Sequence, residues 1–100
     1  MIRGTTPTYT FALPFHTELI QAIEISFEQD NAVKLTKSTA DCTMDEMTVA
    51  IKLTQEETFK FTGDAFLNIQ IRILTTGNDV IASNLMQDHC TDSISNEVLT

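Results

Sequence analysis

The chain has 100 residues, which suffice for one compact domain with a single core. Its composition is 42% hydrophobic with only 3 Gly and 2 Pro, which excludes a disordered or fibrous protein. The net charge is −8, and each half of the chain carries 3 basic and 7 acidic residues. This even acidity excludes a basic phosphate-binding surface, so we expect neither nucleic acid nor an anionic membrane as a partner.

No segment of the sequence predicts membrane insertion or export. No apolar run approaches the roughly 20 residues that span a bilayer, and the stretch from Met1 to Thr6 lacks the apolar core of a signal peptide. Cys42 and Cys90 lie 48 positions apart, and the chain has no Asn-X-Ser/Thr sequon. We therefore expect a protein made in the cytoplasm with free thiols, with a single long-loop disulfide as the alternative.

The first half of the chain predicts three strands. Thr, Ile and Val make up 30 of the 100 residues, a share that favours pleated sheet. Apolar residues alternate from Tyr9 to Leu13, where Pro14 ends the strand, and again from Ile23 to Glu28. Asp30-Asn31 is a typical turn, and Val33 to Leu35 continues as a short strand. The second and third strands therefore form a hairpin with one charged, exposed face.

The middle of the chain predicts a fourth strand and a short helix. Met47 to Leu53 alternate, and the polar stretch from Ser38 to Glu46 leads into them. Thr54 and Glu57 then have the spacing of a capping box, which satisfies two unpaired donors at a helix start. This spacing predicts one or two helical turns that end at about Phe61.

The longest alternation of the sequence runs from Leu67 to Ile73 and predicts a central strand. Thr76 to Asp79 is a turn, and Val80 to Leu85 is the predicted hairpin partner. The pattern from Met86 onward fits an edge strand, a short helix or a docking tail. We therefore predict an all-β protein, an Ig-like antiparallel β-sandwich of six to seven strands with one short helical turn near residues 54–61. Residues 1–85 form the domain, and residues 86–100 are its edge strand or tail.

The residue types of metal and thiol chemistry are present without the spacing that such sites require. His16, Cys42, His89 and Cys90 lack the close pairs of structural zinc sites, and adjacent strand residues point to opposite faces. No helix start or electropositive segment marks either thiol as a nucleophile. The sequence therefore favours surface imidazoles and structural cysteines over a zinc or catalytic site.

The carboxylates likewise favour structural roles. Asp41 to Glu46 alternate oxygen ligands as a calcium loop does, but the glycine and the distant bidentate glutamate of such a loop are missing, so a solvated turn is the simpler interpretation. Glu56 and Glu57 are neighbours that diverge on a helix, and capping already explains Glu57. We therefore expect neither catalysis nor a cofactor or metal.

Two apolar side chains break the one-sided pattern of the central strand. Phe66 and Leu74 lie on the face opposite to the alternating set from Leu67 to Ile73. This surplus is either covered by the chain near the ends of the strand or left as an apolar patch that binds a partner.

Three segments together carry a family resemblance: Ile2-Arg3-Gly4-Thr5-Thr6-Pro7 leading into Tyr9-Thr10-Phe11, then Leu53-Thr54-Gln55-Glu56-Glu57-Thr58, and then Gln70-Ile71-Arg72-Ile73-Leu74 with Ala82-Ser83-Asn84. The pattern resembles small prophage-encoded structural proteins and, more loosely, the N-terminal domain of phage baseplate upper proteins. In those proteins an Arg-Gly-Asp/Thr opening precedes a Thr-Phe strand. The resemblance covers most of residues 2–84 and none of residues 85–100. It implies an Ig-like sandwich that assembles into a virion tail or baseplate, with no catalytic residues to carry over.

The leading hypothesis is a non-enzymatic assembly module of a phage tail, baseplate or connector. Its partners would be further copies of itself, as a homo-oligomer, and other virion proteins, bound at open sheet edges and apolar patches. We expect the segments Ile2 to Pro7 and Met86 to Thr100 to act as contacting arms, because termini stay untied until a partner orders them. The residues expected to bind partners are Ile2, Arg3, Pro7, Phe66, Leu74, Met86, Ile94 and Val98.

The alternative hypothesis is a small ligand- or carbohydrate-binding module on the loops of the same sandwich. Sugar sites present exposed aromatic side chains, whereas Tyr9 is the only tyrosine and alternation assigns most phenylalanines to the core. The assembly module therefore remains the leading hypothesis.

Overall fold

The computed structural model describes residues 1–83 and 85–100, and within them the chain forms two antiparallel sheets. In chain order the strands are β1 (Thr8–Ala12), β2 (Ile20–Gln29), β3 (Ala32–Ser38), β4 (Cys42–Asp45), β5 (Thr48–Lys52), β6 (Ala65–Thr75), β7 (Val80–Ala82) and β8 (Met86–Cys90). One turn of helix, α1 (Gln55–Thr58), joins β5 to β6, and 3-10 turns lie at Thr17–Leu19 and Thr39–Asp41. The smaller sheet has the order β1-β5-β4, and the larger has the order β3-β2-β6-β7, with β8 paired to the first half of β6.

The predicted all-β antiparallel sandwich is confirmed, with more strands than the predicted six to seven. The described residues form eight, because Cys42–Asp45 pairs with β5 inside the stretch predicted to be a polar turn. This strand was missed because it is an edge strand with mostly exposed side chains, so its pairing uses the backbone and leaves no alternation to detect. The strand order also differs from that of an immunoglobulin domain, because here the first strand pairs with the fifth instead of the second.

The core lies between the inner faces of the two sheets and follows the predicted alternation. The inward residues of β2 and β6 are buried, whereas their neighbours along each strand are partly or fully exposed. Phe27 sits at the centre, with its ring centroid 5.8 Å from that of Tyr9 and 5.9 Å from that of Phe61. The buried apolar residues are Phe11, Ile23, Ile25, Phe27, Leu35, Val49, Ile51, Leu53, Phe61, Leu67, Ile69, Ile71, Ile73 and Cys90.

The two sheets differ in length, and this difference shapes the surface. β6 has 11 residues and spans about 36 Å, whereas β1 and β5 have 5 residues each and span about 16 Å. The smaller sheet therefore covers only part of the larger one.

Local signals in the sequence explain the turns. Asp30 and Asn31 both have positive φ, 52° and 61°, which is the conformation of a tight hairpin turn, and they join β2 to β3 as predicted. The capping box also forms: the Glu57 amide donates to the Thr54 hydroxyl, and the Thr54 amide donates to the Glu57 carboxylate. The helix is a single turn that ends at Thr58, because the chain must turn back to enter β6.

The return strand after β6 is shorter than the predicted Val80 to Leu85. Pairing with β6 stops at Ala82 and resumes at Met86 in a register shifted by one residue. Asn84, which belongs to the predicted strand, lies outside the described residues. The edge-strand alternative for the region after Met86 is confirmed for Met86–Cys90.

Within the described ranges, no helix has the length and apolar character needed to cross a membrane. Both cysteines are free, Cys90 in the core and Cys42 partly buried.

Candidate functional site

The two sides of the sandwich, where the edge strands of the sheets lie, differ in charge. On one side are β3, which carries Lys34 and Lys37, and β4, which ends at Asp45. On the other side are β1 and β7, whose residues carry no charge. Charged side chains on an edge strand discourage pairing with another chain, and their absence leaves an edge open to it. We call the side formed by β1 and β7 the open side.

The backbone of β1 presents unpaired groups to the open side. The Leu13 amide donates to the Met47 carbonyl at 2.8 Å, and the Leu53 amide donates to the Pro7 carbonyl at 3.0 Å. Odd-numbered residues of β1 therefore form the hydrogen-bonded pairs with β5. The amides and carbonyls of Thr8, Thr10 and Ala12 consequently point away from β5, and no described backbone group pairs with them.

β7 presents its backbone in the same way. The Thr75 amide donates to the Asp79 carbonyl at 2.8 Å, and the Ser83 amide donates to the Ile71 carbonyl at 2.9 Å. These bonds place the odd-numbered residues of the hairpin in hydrogen-bonded pairs, so the polar backbone groups of Val80 and Ala82 face outward. Two unpaired strand edges, one from each sheet, therefore border the open side.

An apolar cleft of about 440 Å³ lies between these two edges. Its floor includes Phe11, Ile71 and Ile73, and its rim includes Phe15, Ile81 and Met86. None of the described residues that line it is charged. The cleft lies where the end of β1 and the residues after it, 13–15, face the second half of β6.

A hydrogen-bonded cluster closes the open side at its other end. The Tyr9 hydroxyl donates to the Asp88 carboxylate at 2.8 Å, and the ammonium of Met1 lies 3.2 Å from the same carboxylate. Burial, reinforced by the bond to Asp88, raises the pKa of Tyr9 far above its usual value. Burial alone would raise the pKa of Asp88, but the hydrogen bonds from Tyr9 and from the Met1 ammonium outweigh it and hold that pKa below its usual value. This cluster joins β1 to β8 and limits the cleft to the region beyond it.

The N-terminal segment is folded onto the domain, unlike the untied arm expected from the sequence. Ile2 forms a parallel bridge with Thr91, and the Arg3 guanidinium donates to Asp92 at 2.7 Å and to Asn96 at 3.0 Å. Arg3 also donates to the Phe59 carbonyl and lies 5.4 Å from the centre of the Phe59 ring. The segment therefore supplies hydrogen-bond partners for the backbone of Thr91, the residue that follows β8.

The last residues are held to the domain at two points. Besides the bond from Arg3 to Asn96, the Leu99 amide donates to the Gln55 side chain at 2.8 Å, and the Gln55 amide group donates to the Leu99 carbonyl at 2.9 Å. Ile94 is nevertheless fully exposed. The tail thus runs along the surface near α1, away from the cleft.

The eight predicted partner-binding residues lie in several separate places. Met86 lines the cleft, whereas Leu74 pairs with Val80 in a shallow depression on the outer face of the larger sheet. Phe66 is 60% exposed on that same face, with its ring edge-on to His89 at 5.6 Å. The remaining five, Ile2, Arg3, Pro7, Ile94 and Val98, lie in the N-terminal and C-terminal segments described above or beside α1.

The residues considered for zinc and thiol chemistry are not brought together. His16 accepts a bond from the Glu18 amide at a 3-10 turn, His89 is on the outer face, and no group of three His, Cys, Asp or Glu side chains is placed for a metal among the residues that the structure covers. Burial raises the pKa of both Cys42 and Cys90, which favours the thiol over the nucleophilic thiolate.

The carboxylates considered for calcium or catalysis have structural partners. Asp41 accepts hydrogen bonds from the amide and hydroxyl of Ser38. Glu57 pairs with Lys37 and caps α1, and these bonds outweigh burial and lower its pKa.

Apart from Met86, sequence reasoning missed the residues that form the cleft, although a signal was present. Thr8 to Phe15 and Val80 to Gln87 contain no charged residue, in a chain where one residue in five is charged. Charge-free strands at both edges of one side indicate an unprotected surface. Comparison of the chain with family models, with curated proteins and with solved structures finds no match.

Proposed function

We propose that this protein is a non-enzymatic assembly module that binds other protein chains at its open side by strand addition. The observation that carries the proposal is the uncharged apolar cleft of about 440 Å³ between two strand edges with unpaired backbone groups. Main-chain hydrogen bonds supply affinity in such a contact, and the cleft supplies selectivity for apolar side chains.

An extended peptide matches this surface better than a compact ligand does. The outward groups of Thr8, Thr10 and Ala12 repeat every second residue, as those of a partner strand do. A strand that pairs with them also directs every second side chain toward the cleft. The preferred partner segment is therefore uncharged, extended and apolar at alternate positions.

The setting of the proposal comes from the resemblance of residues 2–84 to prophage structural proteins. It suggests a subunit made in the bacterial cytoplasm that joins a phage tail, baseplate or connector. Contacts between β-rich subunits at their sheet edges are a suitable means of building such an assembly.

The proposal is tested by selecting peptides from a random display library on the immobilised full chain. We expect the selected peptides to be extended and uncharged, and to perturb the amide signals of Thr8, Thr10 and Ala12 in a nuclear magnetic resonance titration. The variant Ala12→Lys, which adds a charge to the β1 edge, should lose the binding. The matched control Thr36→Lys adds the same charge to the exposed edge of β3 and should keep it. Failure to enrich any peptide, or equal binding by both variants, would contradict the proposal.

A further inference from the structure

We infer that the open side binds a second copy of this chain about a two-fold axis, with β1 of one copy paired antiparallel to β1 of the other. The inference rests on the proposed function, since it uses the same surface, and it identifies the occupant. Three observations lead to it: the distribution of charge, the direction of the unpaired backbone groups and the exposure of the cleft rim.

Charge restricts where two copies can meet. Each copy carries a net charge of −8, so two copies repel unless they approach through surfaces that are free of acidic side chains. The outer face of the larger sheet carries Glu28 and Glu24, the latter paired with Arg72, and the end near the tail carries Asp64 and Asp92, the latter paired with Arg3. The cleft and the β1 edge carry no charge, so electrostatic repulsion is least when copies meet there.

A two-fold axis suits the β1 edge because it pairs any strand antiparallel with its own copy. The outward backbone groups belong to Thr8, Thr10 and Ala12, which makes Thr10 the middle residue. In the symmetric register Thr10 faces Thr10 of the second copy, and Thr8 faces Ala12. The side chains are small, and a cross-strand Thr pair is favourable. The two smaller sheets then become one sheet of six strands.

The same association of two copies also covers the cleft. Ile81 and Met86 on its rim are 43% and 39% exposed, which is high for apolar side chains that border a core. In this antiparallel register Ala12, which lines the cleft of one copy, lies beside Thr8 of the other, so the two clefts lie at opposite ends of the paired strands. The rim side chains then lose contact with water where the second copy borders each cleft. Burial of apolar surface then adds to the backbone bonds.

The test introduces charges of either sign at the two-fold axis. The mass of the full chain in solution is then measured by light scattering during size-exclusion chromatography. The unchanged protein should reach twice its mass of 11.2 kDa as its concentration rises. Thr10→Lys and Thr10→Glu each place like charges opposite one another, and each should weaken the dimer by about fivefold or more. An equal mixture of the two variants should restore a dimer that contains one of each, which native mass spectrometry identifies. Thr36→Lys is the control, because it adds the same charge away from the axis and should leave the dimer intact.

Each other outcome overturns the inference in a defined way. A chain that remains monomeric but selects peptides at β1 refutes the second copy and leaves the proposed function standing. A monomer that selects no peptide refutes both. A dimer that ignores the substitutions at Thr10, or variants whose mixture does not recombine, shows that copies associate through another surface.

Discussion

Thr58 connects the N-terminal segment to α1, and removing its hydroxyl should destabilise the protein. The side chain is fully buried. Its hydroxyl oxygen accepts a hydrogen bond from the Gly4 amide at 2.9 Å. The hydroxyl also donates to the carbonyl oxygens of Thr5 at 3.0 Å and Gln55 at 3.1 Å. Thr58→Val keeps the shape of the side chain and removes these bonds, which leaves the Gly4 amide without its partner.

The expected loss follows from that unpaired amide. The Gly4 amide is partly buried, and its loss of an acceptor adds to the loss of the two bonds that the hydroxyl donates, so we expect the free energy of unfolding to fall by about 2 kcal/mol. For a domain of this size 1 kcal/mol lowers Tm by about 4–8 °C, so the Tm should fall by about 8–16 °C.

Urea unfolding followed by far-ultraviolet circular dichroism measures this loss, and amide exchange should be accelerated at Gly4 more than in β2. Thr36→Val is the control, because Thr36 is an exposed strand residue, and a change within about 0.5 kcal/mol is expected there. A loss below about 0.5 kcal/mol for Thr58→Val would refute the reasoning that this hydroxyl anchors the segment.

Four further predictions concern the closed end of the sandwich, its turns and its buried polar groups. Tyr9→Phe removes the hydrogen bond to Asp88 and should lower the free energy of unfolding by about 1 kcal/mol in urea unfolding at neutral pH. The pKa of Asp88 is lower in the folded protein, so its ionised form stabilises the fold above the ordinary carboxyl pKa of about 3.9. This stability is lost as the pH falls through the lower folded value. Asp88→Asn should therefore reduce the fall in the free energy of unfolding at acid pH, measured by a pH series of unfolding curves. Gly4→Ala should cost about 1–3 kcal/mol because φ is 79° and a Cβ would lie 2.5 Å from the Phe59 ring. In the control Gly77→Ala the Cβ would make an ordinary contact of 3.8 Å with the Thr75 hydroxyl oxygen, so the free energy of unfolding should change little by the same measurement. Gln29→Leu should lower the urea midpoint, since both backbone groups of Thr62 lose the partner that now binds them at 2.7 and 2.9 Å.

Alternation of apolar and polar residues predicted the larger sheet, because β2 and β6 each have one buried face and one face toward solvent. Ile23, Ile25 and Phe27 point inward, and the polar residues between them point outward, so the period of two is visible in the sequence. The turn at Asp30-Asn31 and the capping box at Thr54 were predicted for a similar reason, since both are local and depend on residue types within four positions.

Features that depend on distant pairing were not predictable in this way. β4 was missed because its exposed side chains follow no pattern, and its strand character comes from pairing with β5. The packing of Arg3 against Asp92 and Phe59 joins residues far apart in the sequence, and no local rule indicates it. The candidate site is an intermediate case, because charge-free stretches were visible, but the cleft forms only where residues 10–15 meet β6 and β7, which are distant in the sequence.

The bridge between Ile2 and Thr91 has a consequence for the order of folding. It joins residues 89 positions apart, whereas the hairpin of β2 and β3 closes within a few residues. Loop closure delays contacts that are distant in sequence, so the hairpin can form early, while the N-terminal segment stays unpaired until Thr91 is available. During synthesis on the ribosome, Ile2 can therefore take its place in the fold only after Thr91 has been made.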